Sequence, residues 1–316
     1  MIKRPRAWLF TPERPEPLAM CRIAYCGLLL IYFTLFKDYR GWSALTETFH
    51  NPYGLHKLFP PPPSDAVVGA IQWVWWLSLF TSAMGLLTRT SLIVAAVGAT
   101  YLMGIPVGYG KFSHSEPIVL LVLLILAASR CGDAWSVDAW RAGKTKVMSG
   151  EYRWPIRAVW ILMSLVFFQA GLNKLVLAGP AWATPESFAP MMVRHFYTND
   201  PPIDLALRLA WIRPFVWMAA ISSLAGETLF PLALFSRRAR LILPLLMFSM
   251  QVNIALLMGV YFWPFKPAYV FWVPWPLIFW GRWGILHAKR GSVHAKRSAA
   301  QQVEADFARN SAEPTA

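Results

Sequence analysis

Apolar residues in this chain come in long blocks separated by short polar stretches. Eight blocks can be read, at about 18–36, 66–87, 91–107, 117–129, 156–175, 215–235, 241–259 and 268–280. Several reach the ~20 residues that a helix needs to cross about 30 Å of hydrocarbon. The fourth is short, and Pro274 and Pro276 interrupt the eighth. The pattern predicts an all-α fold: a polytopic membrane helical bundle of about eight transmembrane helices.

The punctuation between blocks fits that reading. Ser113 or Ser115 can cap the helix that starts near Glu116 and Pro117, both suited to a first turn. FPPPPS (59–64) cannot continue a helix and makes a stiff spacer, while SRRAR (236–240) reads as a turn. Three regions follow: a basic, Pro-rich interfacial arm over 1–17, the bundle over 18–286, and a basic, disordered cytoplasmic tail over 287–316. No internal repeat is visible.

Composition sharpens the class. Hydrophobic residues make up 56% of the 316, charged ones 15%, and there are 17 Trp and 20 Phe. A net charge of +14 suggests nucleic acid in a soluble protein, but no aromatic-basic module accompanies it here. Of the 30 Lys and Arg, 21 fall in alternate inter-span segments beginning with the N-terminus. The positive-inside rule then places both termini in the cytoplasm, with the bilayer as partner and a bacterial cytoplasmic membrane as the location. Three cysteines form neither a disulfide framework nor a zinc spacing, and the N-terminus is not a cleaved signal peptide. His50, His56, His114 and His195 share the outer side but lack short helical spacing, so no metal is expected.

Candidate chemistry lies near the outer ends of the spans. Lys111 stands in a loop before the N-terminus of the 117–129 helix, where a positive dipole end and partial desolvation both favour a neutral amine. A snorkelling lysine is the plainer reading of the same position. His114 follows three residues later. Gln169 and Asn173, four apart, share a helix face close to Lys174. They suit contact with a ligand or simple helix–helix glue. Glu227 lies inside the sixth block, a costly place for a carboxylate, with Arg22 or Arg89 as structural partner in the plainer reading. Gln251 and Asn253 sit mid-span in FSMQVNIALLMGVYF (248–262).

GKFSHSEPIVLLVLL (110–124) followed by CGDAWSVDAW (131–140) resembles the horizontally transferred transmembrane (HTTM) domain, the membrane part of vitamin K-dependent gamma-glutamyl carboxylases. FFQAGLNKLVLAGPAW (167–182) resembles a second signature of that family, an AGxxK run followed by a tryptophan. With the order of spans, the resemblance covers most of 18–280 and stops short of the carboxylase's large lumenal part. It implies a lysine base, with Lys111 at the matching place and His114 as orienting or relaying group. It also implies a reduced, vitamin K hydroquinone-like quinone as cofactor, with Gln169, Asn173, Lys174, Gln251 and Asn253 as candidate contacts. The family carries histidine where Gln251 stands, and an amide cannot relay a proton near neutral pH. The function implied is a quinone-linked, carboxylase-like lyase in the membrane; the alternative is a non-catalytic module that binds lipid or a protein.

Overall fold

The computed structural model describes residues 5–45, 47–52, 54–111, 116–143, 147–198 and 204–279, and within them it is helical. Helix α1 (Pro5–Leu9) opens the arm and α2 (Glu16–Phe36) is the first long helix, with Glu16 and Pro17 in its first turn. Next come α3 (Asp65–Met84), closed by left-handed Gly85, and α4 (Thr88–Gly108). They are followed by α5 (Glu116–Ala128), the short α6 (Val137–Arg141) and α7 (Trp154–Ala178). Helix α8 (Pro185–Thr198) is amphipathic. Helices α9 (Asp204–Ala210) and α10 (Arg213–Leu229) meet at a 95° bend. Then α11 (Leu232–Phe235) turns into α12 (Arg237–Met258), whose start Ser236 caps and whose end is left-handed Gly259.

Five of these helices are long and apolar enough to cross a membrane, or six if the bent pair counts as one span. The expectation of eight therefore holds only in its coarser form, a helical bundle with several membrane-length helices. The fourth block forms α5, only 13 residues long. The eighth differs more. Instead of an α-helix over 268–280, a ten-residue 3₁₀ segment runs over Trp263–Trp272. Pro267, inside the segment, removes a backbone donor and crowds the preceding turn, which disfavours an α-helix there. A 3₁₀ run of this length is unusual and depends on its packing. It is buried against α2, α5, α7 and α12. Trp160 Nε1 donates to Phe271 O at 2.7 Å, and the rings of Trp160 and Trp272 stack 5.1 Å apart. The chain divides after it into a second unit, Val273–Ala316, of which 273–279 is described; the tail expected over 287–316 lies outside the described residues.

On the α2–α4 side, Trp75 is buried and donates through Nε1 to Ala95 O at 2.8 Å. It lies over Gly98, where an added Cβ would come within 2.6 Å of its ring. In hydrocarbon such burial gains close packing and one hydrogen bond rather than release from water, which is why a glycine sits beneath the indole.

One end of the bundle collects arginines. There the starts of α2, α4, α7 and α12 meet the ends of α3, α5 and α11. Arg22 is fully buried and donates to Cys131 O at 2.7 Å and Trp135 O at 2.6 Å. Arg89 donates to Ala127 O, and Arg240 to Ala233 O and Leu234 O. Arg153 pairs with Glu13, and Arg157 reaches Thr11 and stacks on Trp8, so the N-terminal arm is pinned here. In the SVD run, Ser136 caps α6, while Asp138 accepts from Leu87 N and from Thr88 N and Oγ1. Asp138 is thus the N-cap of a helix 50 residues away in sequence. Burial opposes its charge, but those three donors hold its carboxyl below the ordinary aspartate range. Gly85 lies under this latch, and a Cβ on it would collide with Ser136 and approach Arg22 Nη1 to 2.9 Å.

Candidate functional site

The polar centre of the opposite half of the bundle begins with a glycine. Gly171 sits where α7 crosses α10, and a Cβ there would lie 2.7 Å from Thr228 Oγ1 and 3.2 Å from Glu227 Cβ. The two backbones close at that point. One turn further along α7, Lys174 reaches Glu227, with Nζ 2.6 Å from Oε1 and 2.5 Å from Oε2. The carboxylate side chain is 7% exposed and the lysine side chain 24%. The indole of Trp182 covers the ammonium, 4.2 Å from Nζ to ring centroid. Trp182 in turn meets Phe188 edge-on and belongs to an apolar cluster with Met192, Val216, Ala220 and Leu257. So α8, α10 and the end of α12 form a lid of apolar side chains beside the pair.

The sequence pointed to Arg22 or Arg89 as structural partner for Glu227. Both are instead taken up by backbone carbonyls at the arginine-rich end. Trp160, which belongs to that end, and Lys174 are 14 residues apart on α7, about 21 Å of helix. A carboxylate that deep requires a cation from the same depth, and α7 supplies one. Removed from water, such a pair stands only with good geometry and two short bonds.

Further polar groups line the neighbouring α10–α12 contact. Gly226 of α10 lies against Met247 of α12, its Cβ position 2.6 Å from the sulfur. One turn away from that crossing on each antiparallel helix stand Ser223 and Gln251, both buried. Ser223 Oγ and Gln251 Oε1 have no hydrogen-bond partner among the described residues. His195 of α8 packs against Gly259, where a Cβ would lie 2.5 Å from its Nδ1. Its buried Nε2 likewise lacks a partner among the described residues.

The other sequence-derived candidates lie elsewhere. Lys111 is exposed; its N–H donates to Pro106 O, and its Nζ lies 5.9 Å from the ring of Trp42. His114 lies outside the described residues. Gln169 and Asn173 share a face as the spacing predicts, but that face is exposed, and Gln169 Nε2 donates to Asn173 Oδ1 at 2.9 Å. Asn253 is also exposed and donates to Ser249 O. Of the six candidates among the described residues, Lys174 and Gln251 are the ones turned toward packed neighbours. His50 and His56 lie against Gly108 and Gly104 of α4, and burial lowers the His56 pKa. Among the described residues no three His, Cys, Asp or Glu side chains form a group that would hold a metal ion.

Sequence reasoning noted Trp182 but did not join it to Lys174, and it passed over Ser223. The available signal was a set of glycines at close approaches, Gly171 against Thr228, Gly226 against Met247 and Gly259 against His195. No family model, curated protein or solved structure matches this chain. The likeness to the carboxylase membrane domain rests on the motifs alone.

Proposed function

We propose that this chain is an integral membrane enzyme of the carboxylase-like kind, acting on a reduced quinone or a similar flat apolar molecule. The observation that carries the reading is the Lys174–Glu227 pair under Trp182, an ionisable pair inside an apolar bundle. In the neutral form of such a pair the shared proton sits on the Glu227 carboxyl and Lys174 is a free amine. That amine takes a proton from an acidic hydroxyl, and the oxyanion so formed is the counter-ion of the ammonium. Glu227 keeps its proton and accepts a hydrogen bond from the ammonium through its carbonyl oxygen. That is the proton step a quinol requires. Trp182 and the α8 cluster exclude water and offer an aromatic surface for a flat ligand. Lys111 keeps its place as the base implied by the loop motif, and the two lysines are separable by mutation.

The test is oxygen consumption with reduced quinones across a pH series, for wild type, Lys174→Met and Lys111→Met. Loss of turnover in Lys174→Met alone supports the pair, and loss in Lys111→Met alone supports the loop. Full turnover in both variants removes the lysine base from the reading. Mass spectrometry of small molecules that copurify with the native protein gives a second line, since a bound quinone favours the enzyme. The second reading is a non-catalytic module. It is favoured by the exposed Gln169–Asn173 pair on α7, the kind of amide face through which one membrane helix holds another. A chain silent with every quinol and carrying only phospholipid fits that reading.

A further inference from the structure

Lys266 is an amine of a different sort from Lys174. It lies in the 3₁₀ segment and is only 8% exposed, among the least exposed charged side chains of the bundle. No ion pair or hydrogen bond joins its amine to the described residues. Its one close partner is the ring of Trp263, 3.7 Å from Nζ to the centroid. That contact suits an ammonium held over a π face. The stem of Lys266 is buried while its ammonium reaches the surface, where an anion can join it.

The surroundings indicate where that anion enters. Trp263 is 44% exposed and stacks on Tyr32 of α2 at 6.2 Å, and Tyr32 also meets Phe36. Beside these rings the last turns of α2 expose Ile31, Leu35 and Phe36. Aromatic rings above an amine, next to exposed aliphatic side chains, are the layout of a lipid headgroup level. A lysine ammonium offers three donors and a compact charge, which suits phosphate oxygens.

We propose that Lys266 and Trp263 form a binding site for a phosphate-bearing anion, the headgroup of an anionic phospholipid whose chains lie along the outer turns of α2. The site is separate from the Lys174–Glu227 pair and does not depend on the function assigned to it. Lys266 supplies the charge, and Trp263 fixes the amine and covers the glycerol region.

The experiment uses the full chain, delipidated in detergent and titrated with phosphatidylglycerol, phosphatidylcholine or inorganic phosphate, read by native mass spectrometry and thermal unfolding. Phosphatidylglycerol should bind in preference to phosphatidylcholine. Lys266→Met should weaken it about tenfold, the loss of one charge-assisted contact. Lys266→Arg should keep most of the affinity, and Lys57→Met, an exposed lysine, should leave it unchanged. If inorganic phosphate alone stabilises wild type but not Lys266→Met, and phosphatidylglycerol adds nothing, the site stands and its ligand is a soluble anion. Equal affinity in wild type and Lys266→Met overturns the proposal, as does an equal loss in Lys57→Met. Should Lys266→Met fail to fold, Trp263→Leu decides: a clear weakening supports the site, and unchanged binding refutes it.

Discussion

The two ends of this bundle handle charge in opposite ways. At the arginine-rich end several cations hold backbone oxygens, Arg22 the carbonyls of Cys131 and Trp135 and Arg240 those of Ala233 and Leu234. Arg153 there pairs instead with Glu13, and the Nε atoms of Arg22, Arg153 and Arg157 lack a hydrogen-bond partner among the described residues. Carbonyls at helix ends lack intrahelical partners, so each guanidinium satisfies acceptors that the fold has to satisfy anyway. In the other half, Lys174 depends on one carboxylate, Lys266 on a ring, and Ser223, Gln251 and His195 hold buried atoms without partners among the described residues. Charge spread over backbone acceptors makes a rigid frame. Charge confined to one partner or none leaves capacity for a ligand or a proton.

That contrast can be broken by mutation. The largest effect belongs to Arg22→Leu, which removes a fully buried guanidinium and its bonds to the carbonyls of Cys131 and Trp135 and should lower stability by about 3–5 kcal/mol in thermal unfolding. The lost acceptors are the carbonyls of Cys131 and Trp135, of which the Cys131 bond is the buried one, so no second side-chain substitution restores them. A melting temperature near that of wild type would remove the frame from the argument.

Next comes the Lys174–Glu227 pair. Lys174→Met or Glu227→Gln should each cost about 2–3 kcal/mol, since the partner is left buried alone. The double variant should recover at least half of that, as measured by a double-mutant cycle. Strict additivity would mean that the two residues do not act as a pair.

Asp138→Asn should cost about 1–2 kcal/mol at neutral pH, the loss of a charged helix cap. The folded-state pKa of Asp138 is depressed, so its contribution is present above the unfolded value of about 3.9 and fades as pH falls through the folded value. Wild type and variant should therefore converge in acid. A constant gap down to pH 3 would show that geometry, not charge, makes the cap. The smallest effect is expected for Asn173→Leu, within about 0.5 kcal/mol for the isolated chain, because its face is exposed. A larger loss in bilayers than in detergent would indicate that another chain covers that face.

Much of the frame was legible beforehand. Long apolar runs located α2, α3, α4, α7 and α12 within a few residues, since the length of an apolar run is a local property of the chain. The eighth block was not legible, because a buried 3₁₀ strand of chain and a membrane-spanning helix share the same apolar composition. Only the proline spacing, Pro264 and Pro267 ahead of Pro274 and Pro276, hinted at the difference. At the candidate site, spacing correctly put Gln169 and Asn173 on one face and could not say that the face was turned outward. Spacing fixes which side chains share a stripe; rotation of the helix is set by what packs on the other stripes.

The sequence by itself determined that this is a helical chain with several apolar runs long enough to cross a membrane. Those are properties of runs and of the backbone's need for internal hydrogen bonds in an apolar medium. The tertiary structure alone decided which charge meets which. Glu227 and Lys174 are 53 residues apart and Asp138 and Thr88 are 50 apart, and nothing local distinguishes these pairs from other combinations. They form because Gly171 and Gly85 let particular helices and loops approach, and at such contacts electrostatic energy falls steeply with distance.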